Sequence, residues 1–316
     1  SIIDKYQKFI DFNKNNKTIF LNKLYTIYIR NWNPFFRGLQ KLYNFSVSTN
    51  QDFLKKTKSR VFLWSALFNK ENLEIWNYRK QNLLPVYSLE RGALPNSLII
   101  DNDNWLLNSN YYNRVFWDNI LKKDQLYNVK NYINTFTTDK NSLEVQGNDT
   151  IQKYEKIPSY TKIIGVFLQL DNDLVIKNGI GWIGSNNNFK KYIIELSKKY
   201  PNILFLVKNH PLSNGTITTT TIFTYESSNV IVVDDIHYKD ILNICTKVLV
   251  VNSSVGLQSM MWGKECGIVG HSFYYFPEIN TRLCSKKDTE QFISSHPKKV
   301  DMDSVYKFIY YLKFKF

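Results

Sequence analysis

Short apolar runs alternate with amphipathic stretches along the C-terminal half of the chain. TKIIGVFLQL (161–170), NILFLVK (202–208), NVIVVDD (229–235), KVLVVNS (247–253) and ECGIVG (265–270) are rich in β-branched and aliphatic residues, which predicts strands buried on both faces. Between them NFKKYIIELSKKY (188–200), HYKDILNIC (237–245) and VGLQSMMWG (255–263) carry apolar residues three and four apart, the helical period. Five strands separated by helices or loops predict an open parallel α/β sheet, a design that places ligands at the carboxyl ends of its strands.

The N-terminal half is less regular. Residues 1–55 predict a helical, aromatic-rich preamble from the spacing in IDKYQKFIDF and FLNKLYTIYIRNW. RVFLWSALF (60–68), ENLEIWNYRKQN (71–82) and LPVYSLE (84–90) then predict strand, helix and strand, the rhythm of a parallel sheet. LIIDNDNWLL (98–107) predicts a hairpin turning at Asn102 to Asn104, followed by an aromatic helix over 111–124. The polar stretch 136–160 predicts the connection between two domains, an N-terminal α/β domain over 1–155 and a C-terminal Rossmann-like domain over 156–316.

Composition narrows the classes further. With 316 residues, 43% of them apolar, the chain can bury two cores of ordinary size. It has no apolar run of about 18 residues, and SIIDKYQKF lacks the regions of a secretory signal, so a cytoplasmic protein is expected. A net charge of +14 asks for an anionic partner, namely nucleic acid, a phosphate-bearing substrate or an anionic membrane surface. The basic residues are scattered and form no nucleic-acid-binding module, so nucleic acid is set aside. Cys245, Cys266 and Cys284 lack zinc or redox spacing; buried thiols and no metal are expected. The C-terminal VYKFIYYLKFKF (305–316) has two readings, a closing helix with 305, 308, 309 and 312 on its buried face, or a basic aromatic segment resting peripherally on the inner face of the inner membrane.

Polar residues gather where the predicted strands end. Gln169 and Asp171 to Asp173 follow the first C-terminal strand, Lys208, His210 and Pro211 the second, and Ser253 and Ser254 the fourth, so three strand ends converge on one crevice. Lys208 and His210 can offer donors and positive charge to a phosphate, aimed by the turn that Pro211 fixes. Ser253-Ser254-Val255-Gly256 joins strand to helix, which suits a helix N-cap with close packing at Gly256 and equally an anion site for a nucleotide phosphate. The second His-Pro pair, His296-Pro297, follows no strand and predicts a loop. In the N-terminal half Glu90 ends a strand before Arg91-Gly92; it is either a general base toward a sugar hydroxyl or a surface carboxylate paired with Arg91.

Taken in order, E-x-G (Glu90 to Gly92), Q-x-x-x-D (Gln169 to Asp173), K-x-H-P (Lys208 to Pro211), N-S-S-x-G (Asn252 to Gly256) and Gly263-Lys264 form a set. It resembles, over residues 60–275, the bacterial capsule-polysaccharide family that contains the retaining β-Kdo transferases of capsule and O-antigen assembly. The resemblance implies a GT-B-like fold, two Rossmann-like domains facing across a cleft. It also implies CMP-Kdo as donor, held through Lys208, His210, Pro211, Ser253, Ser254 and Gly256 without metal or other cofactor, and a glycan acceptor, lipid-linked where the enzyme works at a membrane. Asp173, in the motif begun by Gln169, is then the nucleophile and Glu90 the base. Two departures stand out: Leu174 and Val175 follow Asp173 where the family has small polar residues, leaving Asp171 a competitor for the role, and the first motif reads E-R-G where E-D-G is commoner. The rival readings are a CMP-sialic acid-dependent (poly)sialyltransferase, which inverts the anomeric centre and needs Glu90 but no nucleophile, and a non-catalytic nucleotide- or glycan-binding subunit.

Overall fold

The computed structural model describes the chain from Gln51 to Lys315 apart from 65–69, 93, 96, 104–108, 143, 156, 171–172, 174–175, 177–178 and 214–227, together with the backbone of 19–22 and 46–48. It divides into two compact units, 1–111 and 112–316.

In the N-terminal unit, β1 (Ile19–Asn22), β2 (Ser46–Ser48), β3 (Arg60–Trp64), β4 (Val86–Arg91) and β5 (Leu98–Asp101) form one sheet in the order β2-β1-β3-β4-β5. All neighbours are parallel except β4 and β5. Two of these strands fall where a helical preamble was expected; its last residues, 51–55, are helical as expected, and the rest of it lies outside the described residues. The first arm of the expected 98–107 hairpin is the strand Leu98–Asp101, which pairs with β4, Glu90 opposite Ile99; its second arm, 104–107, lies outside the described residues. Helices α1 (Gln51–Lys56) and α2 (Lys70–Gln81) pack on the sheet through Leu54, Ile75 and Trp76 against Val61, Leu63 and Val86.

The fully buried Arg79 of α2 ties this unit together. Its guanidinium donates to the carbonyls of Leu54 (2.7 Å), Thr57 (2.8 Å), Ser59 (2.6 Å) and Pro85 (2.9 Å). One cation thereby bridges a carbonyl at the C-terminal end of α1 and others at the entries of β3 and β4, the Pro85 carbonyl accepting from the Val61 amide (3.1 Å) as well. Desolvation lowers its pKa to about 10, so it stays charged at neutral pH.

Among its described residues the C-terminal unit holds six parallel strands: β6 (Ile163–Phe167), β7 (Leu204–Lys208), β8 (Val230–Val232), β9 (Lys247–Val250), β10 (Glu265–Ile268) and β11 (Thr281–Arg282). Five are the expected strands, trimmed at their ends; the short β11 is an addition. The order β11-β10-β9-β6-β7-β8 starts in the middle, grows to one side through β7 and β8, then resumes on the other side at β9. This is the doubly wound Rossmann order, and its reversal lies between β6 and β9. Ile164, Val166, Phe205, Val207 and Leu249 bury one face beneath Phe189 and Ile193 of α5 (Asn186–Lys199) and Phe292 and Ile293 of α8 (Lys286–Ser294).

The boundary at 111 precedes the expected one at 155, because 112–160 is bound to the C-terminal unit. Between the short α3 (Arg114–Trp117) and the expected linker runs α4 (Lys123–Thr138), which the sequence reading missed; only its apolar Val129, Ile133 and Phe136 are buried along an otherwise polar, Asn-rich helix. Trp117 packs edge-on to Phe276 (4.6 Å) and against Phe308 (5.2 Å). Phe136 meets Trp262 at 5.9 Å, and the Lys239 ammonium sits 4.0 Å from its ring centre. Further on, the Asp149 amide donates to the Asp235 carbonyl (3.0 Å) and the Tyr154 hydroxyl to Asp235 Oδ1 (2.6 Å).

The C-terminal helix α9 (Met302–Tyr310) follows the closing-helix reading, with Val305, Phe308 and Ile309 fully buried. Its flanking groups are engaged with α4: Lys313 lies over Tyr132 (4.9 Å), Phe314 packs edge-on to Tyr132 (6.4 Å), and Lys130 lies over Tyr306 (5.3 Å). Cys245 and Cys266 are buried as expected, burial pushing the Cys245 thiol up to about 12, whereas Cys284 is exposed. Among the described residues no helix is long and apolar enough to cross a membrane.

Candidate functional site

Three strands end level at the reversal of the sheet. Phe167 of β6 is in register with Lys208 of β7 on one side and with Val250 of β9 on the other. Hydrogen bonding continues a little further, from the Leu168 amide to the Lys208 carbonyl (2.9 Å) and from the Gly270 amide to the Val251 carbonyl (2.8 Å). Residues 168–170, 209–211 and 251–254 therefore leave the sheet side by side, as the sequence predicted, at the topological switch point where such sheets bind nucleotides.

Gln169 follows β6 and is half-buried. Its side-chain amide donates to Asn252 Oδ1 across the switch point (3.2 Å), and Asn252 Nδ2 donates to the Gly179 carbonyl (3.2 Å). That carbonyl also accepts from the His271 amide (2.8 Å), so the loop after β6 crosses over the ends of β9 and β10. Gly181 lets it do so: with φ of +70° it occupies the left-handed region, and a Cβ there would stand 2.4 Å from the Val269 carbonyl. Asp173 lies in this loop, half-buried, with its amide donating to the Leu170 carbonyl (3.1 Å). Asp171 lies outside the described residues.

Lys208 is corrected from ligand to scaffold. Only 4% exposed, its ammonium donates to the carbonyls of Asp234 (3.0 Å) and Ile236 (2.7 Å), and desolvation lowers its pKa. Asn209 reinforces the same tie, its amide and side chain donating to the Asp234 carboxylate at 2.8 and 2.7 Å. Together they fix the loop after β7, at whose tip His210 stands half-buried. The imidazole Nδ1 accepts from the Leu212 amide (3.2 Å), which puts the proton of the neutral ring on Nε2. Pro211 sits in the intervening turn and is exposed.

Ser253 caps α7 (Ser254–Ser259); its hydroxyl oxygen accepts from the Val255 amide (3.3 Å), leaving its own proton to donate. Ser254 is half-buried beside it. Gly256 is a packing residue, not a ligand contact, because a Cβ there would meet the Tyr274 hydroxyl at 2.5 Å, Val250 Cγ2 at 2.9 Å and Cys266 Sγ at 3.1 Å. The buried Tyr274 donates to the Ser253 carbonyl and so holds the cap in place. Gly263 ends the helical stretch at φ +62°, and Lys264 donates to the Cys245 carbonyl (2.8 Å), so this pair is structural.

In the N-terminal unit Glu90 stands near the end of β4. The bend after it depends on Gly92, whose amide donates to the Ser97 carbonyl (2.9 Å) and where a Cβ would fall 1.9 Å from Ser97 Oγ. His296-Pro297 is an exposed loop, as expected. Sequence reasoning missed Asn186, Gly181, Tyr274 and the His271–Arg282 pair (3.0 Å) at the ends of β10 and β11, and it gave Asn252 no role of its own. The only signals available were the Asn of N-S-S-x-G and the segment IVGHSFY (268–274).

A profile of the capsule polysaccharide biosynthesis protein family matches residues 109–306. No curated protein sequence gives a significant match. Two solved structures of Thermosulfurimonas dismutans KpsC are similar in fold. The beta Kdo 2,4 transferase matches with a TM-score of 0.65 at 14% identity, covering 94% of this chain and 90% of that one. The beta Kdo 2,7 transferase matches with a TM-score of 0.57 at 19% identity, covering 92% and 90%. These likenesses bear out the GT-B-like fold class. Since the profile spans more than half of the 316 residues, the chain belongs to the capsule polysaccharide biosynthesis protein family.

Proposed function

We propose that this chain is a retaining glycosyltransferase that moves Kdo from CMP-Kdo to a glycan acceptor. The observation that carries the proposal is the level ending of β6, β7 and β9 at the Rossmann switch point, which brings Gln169, His210 and Ser253 together in a member of this family. CMP occupies the strand ends. The Ser253 and Ser254 hydroxyls donate to its phosphate and His210 supplies a further donor from Nε2; these groups meet the charge of the leaving phosphate, so the reaction runs without a divalent ion.

Retention follows from two displacements, each needing a carboxylate. The Asp173 carboxylate attacks the anomeric carbon as the bond to the CMP phosphate oxygen breaks, and CMP leaves with the electron pair. An acceptor hydroxyl then attacks the same carbon, Glu90 takes its proton, and Asp173 is released. The order of events fits a membrane-borne acceptor as readily as a free glycan. A sialyltransferase working by inversion would form no covalent intermediate, which separates the two readings.

Calorimetric titration with CMP tests the site. The wild type binds, and His210→Ala combined with Ser253→Ala weakens binding by at least tenfold, the equivalent of about 1.4 kcal/mol. Unchanged affinity in the double variant sinks the placement of CMP.

A further inference from the structure

The hydrogen bonds at the switch point fix which way Gln169 faces. The Gly179 carbonyl can only accept, and it accepts from Asn252 Nδ2 (3.2 Å) as well as from the His271 amide (2.8 Å). Asn252 must therefore turn its Oδ1 toward Gln169, and Gln169 must answer with its NH2 group (3.2 Å). The carbonyl oxygen of the Gln169 side chain is left facing away from Asn252. A second side chain pins the Gln169 main chain: Asn186 at the start of α5, only 3% exposed, donates Nδ2 to the Gln169 carbonyl. That assignment is also forced by a carbonyl, so Asn186 Oδ1 is an acceptor too, buried and without a hydrogen-bond partner. The end of β6 thus offers amide oxygens, while each NH2 group is turned into the protein, toward Asn252 Oδ1 and the Gln169 carbonyl.

Acceptors select for donors. A phosphate, or an ionised carboxylate of the sugar, brings only acceptor oxygens and is repelled from an amide carbonyl, so neither belongs against these oxygens. The hydroxyl groups of a nucleotide are on its ribose. Resting on the CMP reading above, we infer that the Gln169 side-chain oxygen accepts a hydrogen bond from a ribose hydroxyl of the bound nucleotide. Asn252 is the positioning residue that keeps this oxygen outward. The phosphate then lies toward His210 and Ser253, on the flanking strands.

The test is discrimination between ligands, which a purely structural role would not alter. Affinities of CMP, 2′-deoxy-CMP, 3′-deoxy-CMP and UMP are measured for the wild type, Gln169→Leu and Asn252→Asp, each checked for unchanged thermal unfolding of the free protein. In the wild type one deoxy analogue binds about tenfold more weakly than CMP, the effect of a single well-made hydrogen bond. In Gln169→Leu the ratio falls to about 1. Asn252→Asp, which cannot donate to the Gly179 carbonyl, lowers the ratio as well, because Gln169 is no longer held in one orientation. Equal binding of all analogues by the wild type, or discrimination unchanged in Gln169→Leu, overturns the inference. So does a CMP-over-UMP preference lost in Gln169→Leu while the deoxy ratios stay fixed, which would put the base amino group there instead. CMP that binds with these wrong ratios refutes this inference alone, whereas CMP that does not bind refutes the placement of the nucleotide and this inference with it.

Discussion

Replacing Gly256 by alanine should destabilise the C-terminal unit and loosen the candidate site together. In a helix, glycine to alanine ordinarily gains about 0.5–1 kcal/mol, so the substitution starts with a favourable term. Here the new methyl would stand 2.5 Å from the Tyr274 hydroxyl, 2.9 Å from Val250 Cγ2 and 3.1 Å from Cys266 Sγ. Two of these neighbours belong to β9 and β10 and cannot retreat freely, and Tyr274 is buried and bonded to the Ser253 carbonyl. Overpacking of this kind costs about 1–3 kcal/mol, which outweighs the helix term and leaves a net loss of roughly 1–2 kcal/mol. In a unit of this size that corresponds to a fall of about 2–8 °C in Tm. Tyr274→Phe removes the closest contact, at the expense of one hydrogen bond worth about 1 kcal/mol. The double variant Gly256→Ala/Tyr274→Phe should therefore be clearly less destabilised than the sum of the two singles. Urea unfolding of the four proteins, with CMP affinity measured alongside, checks this. Strict additivity, or a Gly256→Ala protein as stable as the wild type, would refute the claim that this glycine exists to let Tyr274 reach the Ser253 carbonyl.

Arg79→Leu should lower the stability of the N-terminal unit by about 3 kcal/mol, because it removes the donor shared by the buried Leu54 carbonyl and the half-buried carbonyls of Thr57, Ser59 and Pro85, of which Pro85 keeps the Val61 amide; chemical denaturation followed by the signal of that unit is the check. Phe308→Ala should cost about 3–5 kcal/mol, since that ring is fully buried against Trp117 and Phe276, and a chain cut before α9 should unfold on its own account before any question of membrane binding arises. Stability should also fall on mild acidification. His237 is buried, its Nδ1 accepts from the Lys239 amide (3.2 Å) and its Nε2 meets the Lys140 carbonyl (3.1 Å), an arrangement that holds the ring neutral. Desolvation, then the charge of Lys140, press its pKa below the usual 6.5, with the hydrogen bond to the Lys140 carbonyl and the charge of Asp240 opposing. The unfolded chain then takes up the proton first, so this contribution is complete above pH 6.5 and is lost as pH falls toward the folded-state pKa, by at most about 1.4 kcal/mol per pH unit. His237→Gln should flatten that part of the stability profile between pH 7.5 and 5.5; an unaltered slope would exclude His237 as its source.

The C-terminal sheet was legible because its strands are buried on both faces and read as continuous apolar runs, and because its helices carry clear punctuation. Strand ends were legible for the same reason, so the sequence alone places Gln169, His210 and Ser253 together. What could not be read was how a polar side chain would be used. Lys208 looks like a phosphate ligand in K-x-H-P, yet the decisive fact is the pair of carbonyls at Asp234 and Ile236, which come from a strand connection 26 and 28 residues away. Gly256 reads as a point of close helix–sheet packing or as part of an anion site, but its tightest constraint is Tyr274, 18 positions on, approaching from another element. The first two strands were misread as helix because they are only 4 and 3 residues long, too short for a period-two pattern to register. Helix α4 was hidden by the opposite problem, a narrow apolar stripe among Asn, Lys and Thr.

Intact-mass spectrometry of the protein after brief exposure to CMP-Kdo, with no acceptor present, tests the proposed chemistry most directly. The expected result is a mass increase of one Kdo residue accompanied by release of CMP, absent in Asp173→Asn and discharged when a glycan acceptor is added to the wild type. Glu90→Gln should retain the adduct but transfer it slowly, as expected when only the second displacement loses its base. An adduct that persists in Asp173→Asn and disappears in Asp171→Asn would move the nucleophile by two residues. Turnover of donor with no adduct in any variant would contradict the double displacement and favour an inverting transferase.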